Sequence, residues 1–179
     1  MAEIKTLDSK LVYQNKWMSV REDKIERASG AQGIYGVVDK HDFVVILPID
    51  NGHVHLVEQY RYPVKQRFWE LPQGAWEDNP DIEPQRLAAA ELREETGLVA
   101  NTMHYVGFQY LAYGMCSQGY HIFVASELSF TERQLDAEEE GLLTAKFTLA
   151  EFEHMLQSGQ IKDATTVVAY SLAKLKGLI

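Results

Sequence analysis

Glu91, Glu94 and Glu95 stand three and four residues apart in AAAELREETGL, an apolar helical segment that ends at Gly97. Positions with that spacing are neighbours on a helix, and like charges there repel by about 0.2–0.5 kcal/mol per pair. Leu87, Ala88 and Leu92, with Ala89 at their margin, form a packing stripe that requires a core to lie against. The glutamates fall on another face. A solvated charged surface is the ordinary reading of such spacing, but a hard divalent cation between the carboxylates would also relieve the repulsion.

The rest of the chain supplies the sheet that this helix needs. Residues 10–40 contain short β-rich runs, KLVYQNKWMSVREDKIERA and GIYGVVD, separated by the SGAQG turn, and read as an antiparallel meander. DFVVILPID, the Asn51-Gly52 turn and HVHLVEQYR form a hairpin pattern. RFWELPQGAW reads as a short strand entering an irregular loop. A helix begins near Pro84, where a proline suits the first turn, and stops at Gly97. MHYVGFQYLA, GYHIFVASEL and LLTAKFT read as further strands. LAEFEHMLQSG and DATTVVAYSLAKLKG read as amphipathic helices stopped by Gly159 and Gly177. Strands mixed with one central and two C-terminal helices imply an α/β fold, a mixed sheet between helical layers.

The 179 residues fit one domain with a small N-terminal extension. No run approaches the roughly 18 apolar residues of a membrane span. MAEIKTLDSK lacks the basic start and apolar stretch of a signal peptide, and the lone Cys116 suits a reducing compartment, so the expectation is cytoplasmic. A net charge of −9 argues against nucleic acid or an anionic membrane as partner. Four of the acids fall in a second cluster at Asp136, Glu138, Glu139 and Glu140, which by itself reads as a solvated loop.

LPQG at 71–74 followed by ELREETGL at 91–98 resembles the Nudix signature, G-x5-E-x7-R-E-U-x-E-E-x-G-U with U aliphatic. The resemblance implies a Nudix α/β/α sandwich over 42–179, preceded by a β region over 1–41 that forms a homodimer. It implies Glu91 and Glu95 as ligands of Mg2+ or Mn2+, Glu94 as a ligand or the holder of a water, and the Gln73 carbonyl as a further oxygen donor. The reaction implied is hydrolysis of a phosphoanhydride by water. Two positions depart from the pattern. Ala90 replaces the arginine that orients a helix glutamate, with Arg86 one turn earlier as a substitute. Gly74 to Glu91 is seventeen steps where the family has fifteen, so the upstream glutamate falls on Ile82, between Asp81 and Glu83.

EQYRYPVKQRFWELPQG resembles the ADP-ribose and nucleoside-diphosphate-sugar pyrophosphatase branch. That branch implies Arg61 as a phosphate ligand, with an ion pair to a nearby acid as the alternative. Glu70 would contact ribose or support the metal site, and Trp17, with Tyr13 and Tyr35, would stack on a base across a dimer. By the same resemblance, an acidic loop before the penultimate helix supplies a ligand or base. Counting back places Glu138 and Glu140 there, with Glu140 preferred and Glu139 last if the backbone is extended and alternates. Gly114 stands where that branch has proline, and Gln118 where it has a substrate-facing acid, so the nucleotide sugar stays open. The expected products are a nucleoside monophosphate and a sugar phosphate. The alternatives are a dinucleoside polyphosphate pyrophosphatase and a nucleotide-sugar sensor that does not hydrolyse.

Overall fold

The structure is a computed structural model that describes residues 3–79, 81–133, 135 and 139–179. An N-terminal antiparallel sheet has the order β1-β2-β3, from β1 (Ile4–Gln14), β2 (Ser19–Arg27) and β3 (Gln32–Asp39). The main sheet contains β4 (Phe43–Asp50), β5 (His53–Arg61), β6 (Gln66–Glu70), β7 (Gln73–Gly74), β8 (Leu98–Tyr110), β9 (Gly119–Phe130) and β10 (Leu143–Thr148). Its order is β10-β5-β4-β9-β8, with β6 paired to β5 and β7 to β4. The sheet is mixed because β4 runs parallel to β9 while its other pairings are antiparallel. Three helices complete the chain: α1 (Pro84–Thr96), α2 (Leu149–Gln157) and α3 (Ala164–Leu175).

Alternation along β4 builds both layers of the core. Val44 and Ile46 point to α1 and meet Leu87, Ala88, Leu92, Leu98, Phe123 and Ala125. Val45 and Leu47 point the other way, into a cluster with Leu56, Ile122, Val124, Phe152, Ala169, Tyr170 and Ala173. Helices on both faces of a mixed sheet give the expected α/β/α sandwich. No helix among the described residues is long and apolar enough to cross a membrane.

Two strands extend beyond their sequence reading. β1 begins at Ile4, where irregularities at Thr6/Asp8 and Leu11/Tyr13 break the alternation that would mark a strand. β8 begins at Leu98 because Gly97, at φ 71°, turns the chain out of α1 directly into the sheet. The N-terminal sheet is joined to the body through the segment before β9: Val38 N donates to Met115 O (2.8 Å), Ser117 N to Val38 O (3.0 Å) and Tyr35 Oη to Gly114 O (2.8 Å).

Phe152 is fully buried and meets Tyr170 edge-on, whereas Leu175 at the end of α3 is 83% exposed. In chemical denaturation, Phe152→Ala is expected to lose about 3–5 kcal/mol and Leu175→Ala less than about 0.5 kcal/mol. Equal losses would contradict this assignment of the core.

Candidate active site

The packing of α1 sets the direction of its glutamates. Pro84 opens the helix, and the Glu83 side chain caps it by accepting from Gln85 N (3.1 Å) and Arg86 N (3.0 Å). With Leu87, Ala88 and Leu92 fixed against the sheet, Glu91 and Glu95 are carried inward and buried, 6% and 2% exposed. Glu94, one position round, is half-buried.

The LPQG segment receives these two carboxylates. β7 pairs Gln73 with Val45 and Gly74 with Val44, next to the face of β4 on which α1 rests. Gln73 N donates to Glu95 Oε2 at 3.1 Å. A Cβ on Gly74 would collide with the whole Glu91 carboxylate, so any side chain there would push that carboxylate from its place. The glycine of the motif is therefore a packing requirement of the glutamate seventeen residues later.

Glu139 brings a third carboxylate from the segment between β9 and β10. One oxygen each of Glu91, Glu95 and Glu139 lies within 4.8 Å of the others. Oxygens that share an ion at about 2.0–2.6 Å are separated by roughly 3–5 Å, so this cluster fits a hard divalent cation. All its donors are oxygen, which suits Mg2+ or Mn2+ over zinc. Burial holds the Glu95 carboxyl well above the ordinary range, and Glu91 and Glu139 push it the same way against the Gln73 N–H. A cation would remove that penalty.

The cluster opens into a cleft of about 690 Å³. Arg61, Gln59, Phe43, Leu111, Trp76, Asp163 and Thr165 line it, as do Gln73 and Gln118. Arg61 is both a lining residue and an ion-pair partner of Glu70, donating through Nε at 3.1 Å and through Nη2. Glu70 also accepts from Gln59 Nε2 at 2.9 Å, and burial raises its pKa despite the arginine. Glu70 thus holds Arg61 and Gln59 at the wall. Gln118 is buried, with its amide donating to His41 O at 2.6 Å. Thr165 Oγ1 lies 2.7 Å from Gln73 Oε1 and 2.5 Å from Asp163 Oδ2, so the start of α3 is tied to the motif segment.

Several expected residues sit elsewhere. Among the described residues of the acidic segment, Glu139, ranked last, joins the cluster, while Glu140 is exposed and does not line the cleft. The ranking assumed an extended backbone, but the chain there makes a 3-10 turn with Leu142 N bonded to Glu139 O at 3.0 Å. Glu138 lies outside the described residues. Trp17 is 42% exposed in a smaller concavity with Lys16, Lys40 and His41. Arg86 is exposed, and among the described residues its side chain makes no hydrogen bond or ion pair. It does not line the cleft. Glu83 serves as the helix cap, and Asp81 is exposed.

Lys16 and Lys40 were not anticipated, and both line the cleft. Neither makes an ion pair among the described residues. They arrive from the β1–β2 turn and the end of β3, too far from the motif for spacing to reveal them. A second concavity, about 770 Å³ between β6, β10 and α2, is lined by Phe68, Trp69, Phe147 and Met155. No described site residue reaches it.

Comparison with known proteins places the chain in a family. Residues 4–38 match the nucleoside diphosphate sugar hydrolase N-terminal domain, and residues 39–167 match the NUDIX domain. The chain is 29% identical to the ADP-ribose pyrophosphatase of Bacillus subtilis (strain 168), across 97% of this chain and 94% of that protein. It is 27% identical to the methanol dehydrogenase activator of Bacillus methanolicus, across 97% and 94%. A crystal structure of an ADP compounds hydrolase superposes with a TM-score of 0.88 at 24% identity, covering 99% of this chain and 97% of that one. With the NUDIX match spanning most of its length and the motif carboxylates gathered under α1, the chain belongs to the Nudix family and is a Nudix hydrolase.

Proposed function

We propose that this enzyme hydrolyses the diphosphate of ADP-ribose or another nucleoside diphosphate sugar, giving a nucleoside monophosphate and a sugar phosphate, with Mg2+ or Mn2+ held by Glu91, Glu95 and Glu139. The observation that carries this reading is the meeting of three carboxylate oxygens within 4.8 Å, two of them on buried side chains, at the wall of a nucleotide-sized cleft. The likeness of residues 4–38 to a nucleoside diphosphate sugar hydrolase domain supports the substrate class. When bound, the cation neutralises phosphate charge and acidifies the attacking water.

The remaining work belongs to the chain's own residues. Arg61, steadied by Glu70, and the two lysines oppose the negative charge of the diphosphate from the walls. Glu94, half-buried in the same cleft, is assigned to receive the proton of the attacking water, a task that needs reach of one hydrogen bond. Gln118 keeps the adjoining wall in place through His41 rather than presenting a charge.

A homodimer completes the reading. Every residue of β1 is exposed, including Leu7, Leu11, Val12 and Tyr13, and Ile34 on β3 is 66% exposed. A small sheet gains stability by covering such rows, and a second copy of the chain would cover them. Trp17, at the turn beside Lys16, would then stack on a base in an assembled site.

A panel of ADP-ribose, other sugar nucleotides, dinucleoside polyphosphates and nucleoside triphosphates, assayed with Mg2+ or Mn2+ and with EDTA, tests the function. The expected outcome is metal-dependent release of phosphatase-sensitive monophosphates from the sugar nucleotides. Preferential cleavage of dinucleoside polyphosphates or triphosphates would overturn the substrate class. Gly74→Ala should keep the fold by circular dichroism and lower kcat/KM about 100-fold, since displacement of a catalytic group by about 1 Å has that effect. Unchanged kcat/KM would show that the close approach of Glu91 is dispensable. By light scattering the wild type should have twice the 20.4 kDa chain mass and Leu11→Asp should move toward the monomer; a monomeric wild type would remove the dimer.

A further inference from the structure

Glu139 reaches the cluster from outside α1, and the chain around it is fastened on both sides. At the entrance, Thr131 N donates to Gly97 O at 2.8 Å, so the segment leaves from the end of the helix that bears Glu91 and Glu95. The fit is close: a Cβ on Gly97 would lie 2.8 Å from Thr131 O and 3.5 Å from Arg133 Cβ. At the exit, Arg133 Nη2 donates to Leu142 O at 2.6 Å, linking the two ends of the segment. Leu142 is buried, and its N–H returns to Glu139 O at 3.0 Å.

A second guanidinium approaches from the main sheet. Arg67, on β6, donates through Nη2 to Gly141 O at 2.8 Å. The same group is fixed to β5, with Nη2 bonded to Glu58 O at 2.9 Å and Nε to Glu58 Oε2 at 3.0 Å. Two arginines, one on β6 and one in the segment itself, thus hold the consecutive carbonyls of Gly141 and Leu142, two and three residues after Glu139. Holding both carbonyls fixes the peptide between them and, through the turn, the starting point of the Glu139 side chain. Neither arginine lines the cleft.

We propose that Arg67 and Arg133 are positioning residues that set the reach of Glu139 and thereby the affinity of the site for its divalent cation. This rests on the reading of Glu139 as a cation ligand. Loss of either clamp lets the carboxylate sample positions away from Glu91 and Glu95, so the cation binds more weakly while substrate contacts are untouched. Groups that orient a metal ligand are typically worth about 10- to 100-fold in metal affinity. The fork of Arg67 holds three acceptors at once, whereas Arg133 holds the single Leu142 carbonyl, which a lysine ammonium can also reach, so lysine at position 133 restores part of the effect.

The test is Mn2+ binding to the full chain without substrate, with free Mn2+ read by electron paramagnetic resonance. Arg133→Ala and Arg67→Ala are expected to weaken binding about 10- to 100-fold, with Arg133→Lys in between. Glu139→Gln should weaken it as well, and adding Arg133→Ala to Glu139→Gln should cause no further loss, because both changes remove one interaction. If Glu139→Gln weakens binding and the arginine variants match wild type, the clamp is refuted and the ligand reading stands. If Glu139→Gln itself binds as wild type, the ligand reading fails and the clamp with it. An additive loss in the double variant would show the arginines acting through another group, which also overturns the proposal. Should Arg133→Ala fail to fold by near-UV circular dichroism, Arg67→Ala and Arg133→Lys carry the same comparison.

Discussion

The site depends on burying two carboxylates of one helix against a strand that carries no side chain at the point of contact. Glu91 and Glu95 turn inward because Leu87, Ala88 and Leu92 must, and a helix has one rotation. Two buried like charges are unfavourable, and burial together with Glu91 raises the pKa of Glu95. Gly74 makes room for one carboxylate and the Gln73 N–H engages the other, so the motif segment and the helix specify each other. The apolar stripe and the two buried glutamates share the inward side of one helix, so the packing that attaches α1 to the sheet also gathers the carboxylates.

Around that pair the chain assembles distant pieces by ordinary secondary-structure means. β7 is only two residues long, yet its pairing with β4 sets the height of Gln73 and Gly74 beneath α1. The Asp163 cap of α3 and Thr165 bring a third element to the Gln73 side chain. The N-terminal sheet contributes Lys16 and Lys40, which add positive charge to the cleft that the carboxylates also line. Diphosphate chemistry needs both signs in one cleft: acids to retain the cation and bases to receive phosphate oxygens that the cation leaves uncovered.

The sequence was most legible where a residue's role follows from local periodicity. The 3.6-residue repeat located α1 and gathered its glutamates, and the Asn51-Gly52 turn located the β4–β5 hairpin. Legibility ended where roles depend on tertiary reach. An extended backbone puts Glu139 last, but the chain turns there, and of the two described glutamates Glu139 meets Glu91 and Glu95 while Glu140 is exposed. Arg86 offered itself as a replacement for the motif arginine on helical spacing alone, but it projects to solvent, and the orienting hydrogen bond to Glu95 comes from the backbone of Gln73. Arg61 makes the ion pair that was its alternative reading, with the buried Glu70, and also lines the cleft, where its contact with phosphate belongs to the proposed function. Lys16 and Lys40 had no sequence signal, because nothing in the local pattern says which turn of the N-terminal sheet will fold over the cleft.

The most direct measurement of the central claim is an anomalous difference map from crystals grown with Mn2+. The account predicts a peak among the carboxylates of Glu91, Glu95 and Glu139, with oxygen distances near 2.1–2.3 Å, roughly as expected for this class of ion. A site occupied by Mn2+ without Glu139, or a peak remote from Glu91 and Glu95, would contradict it.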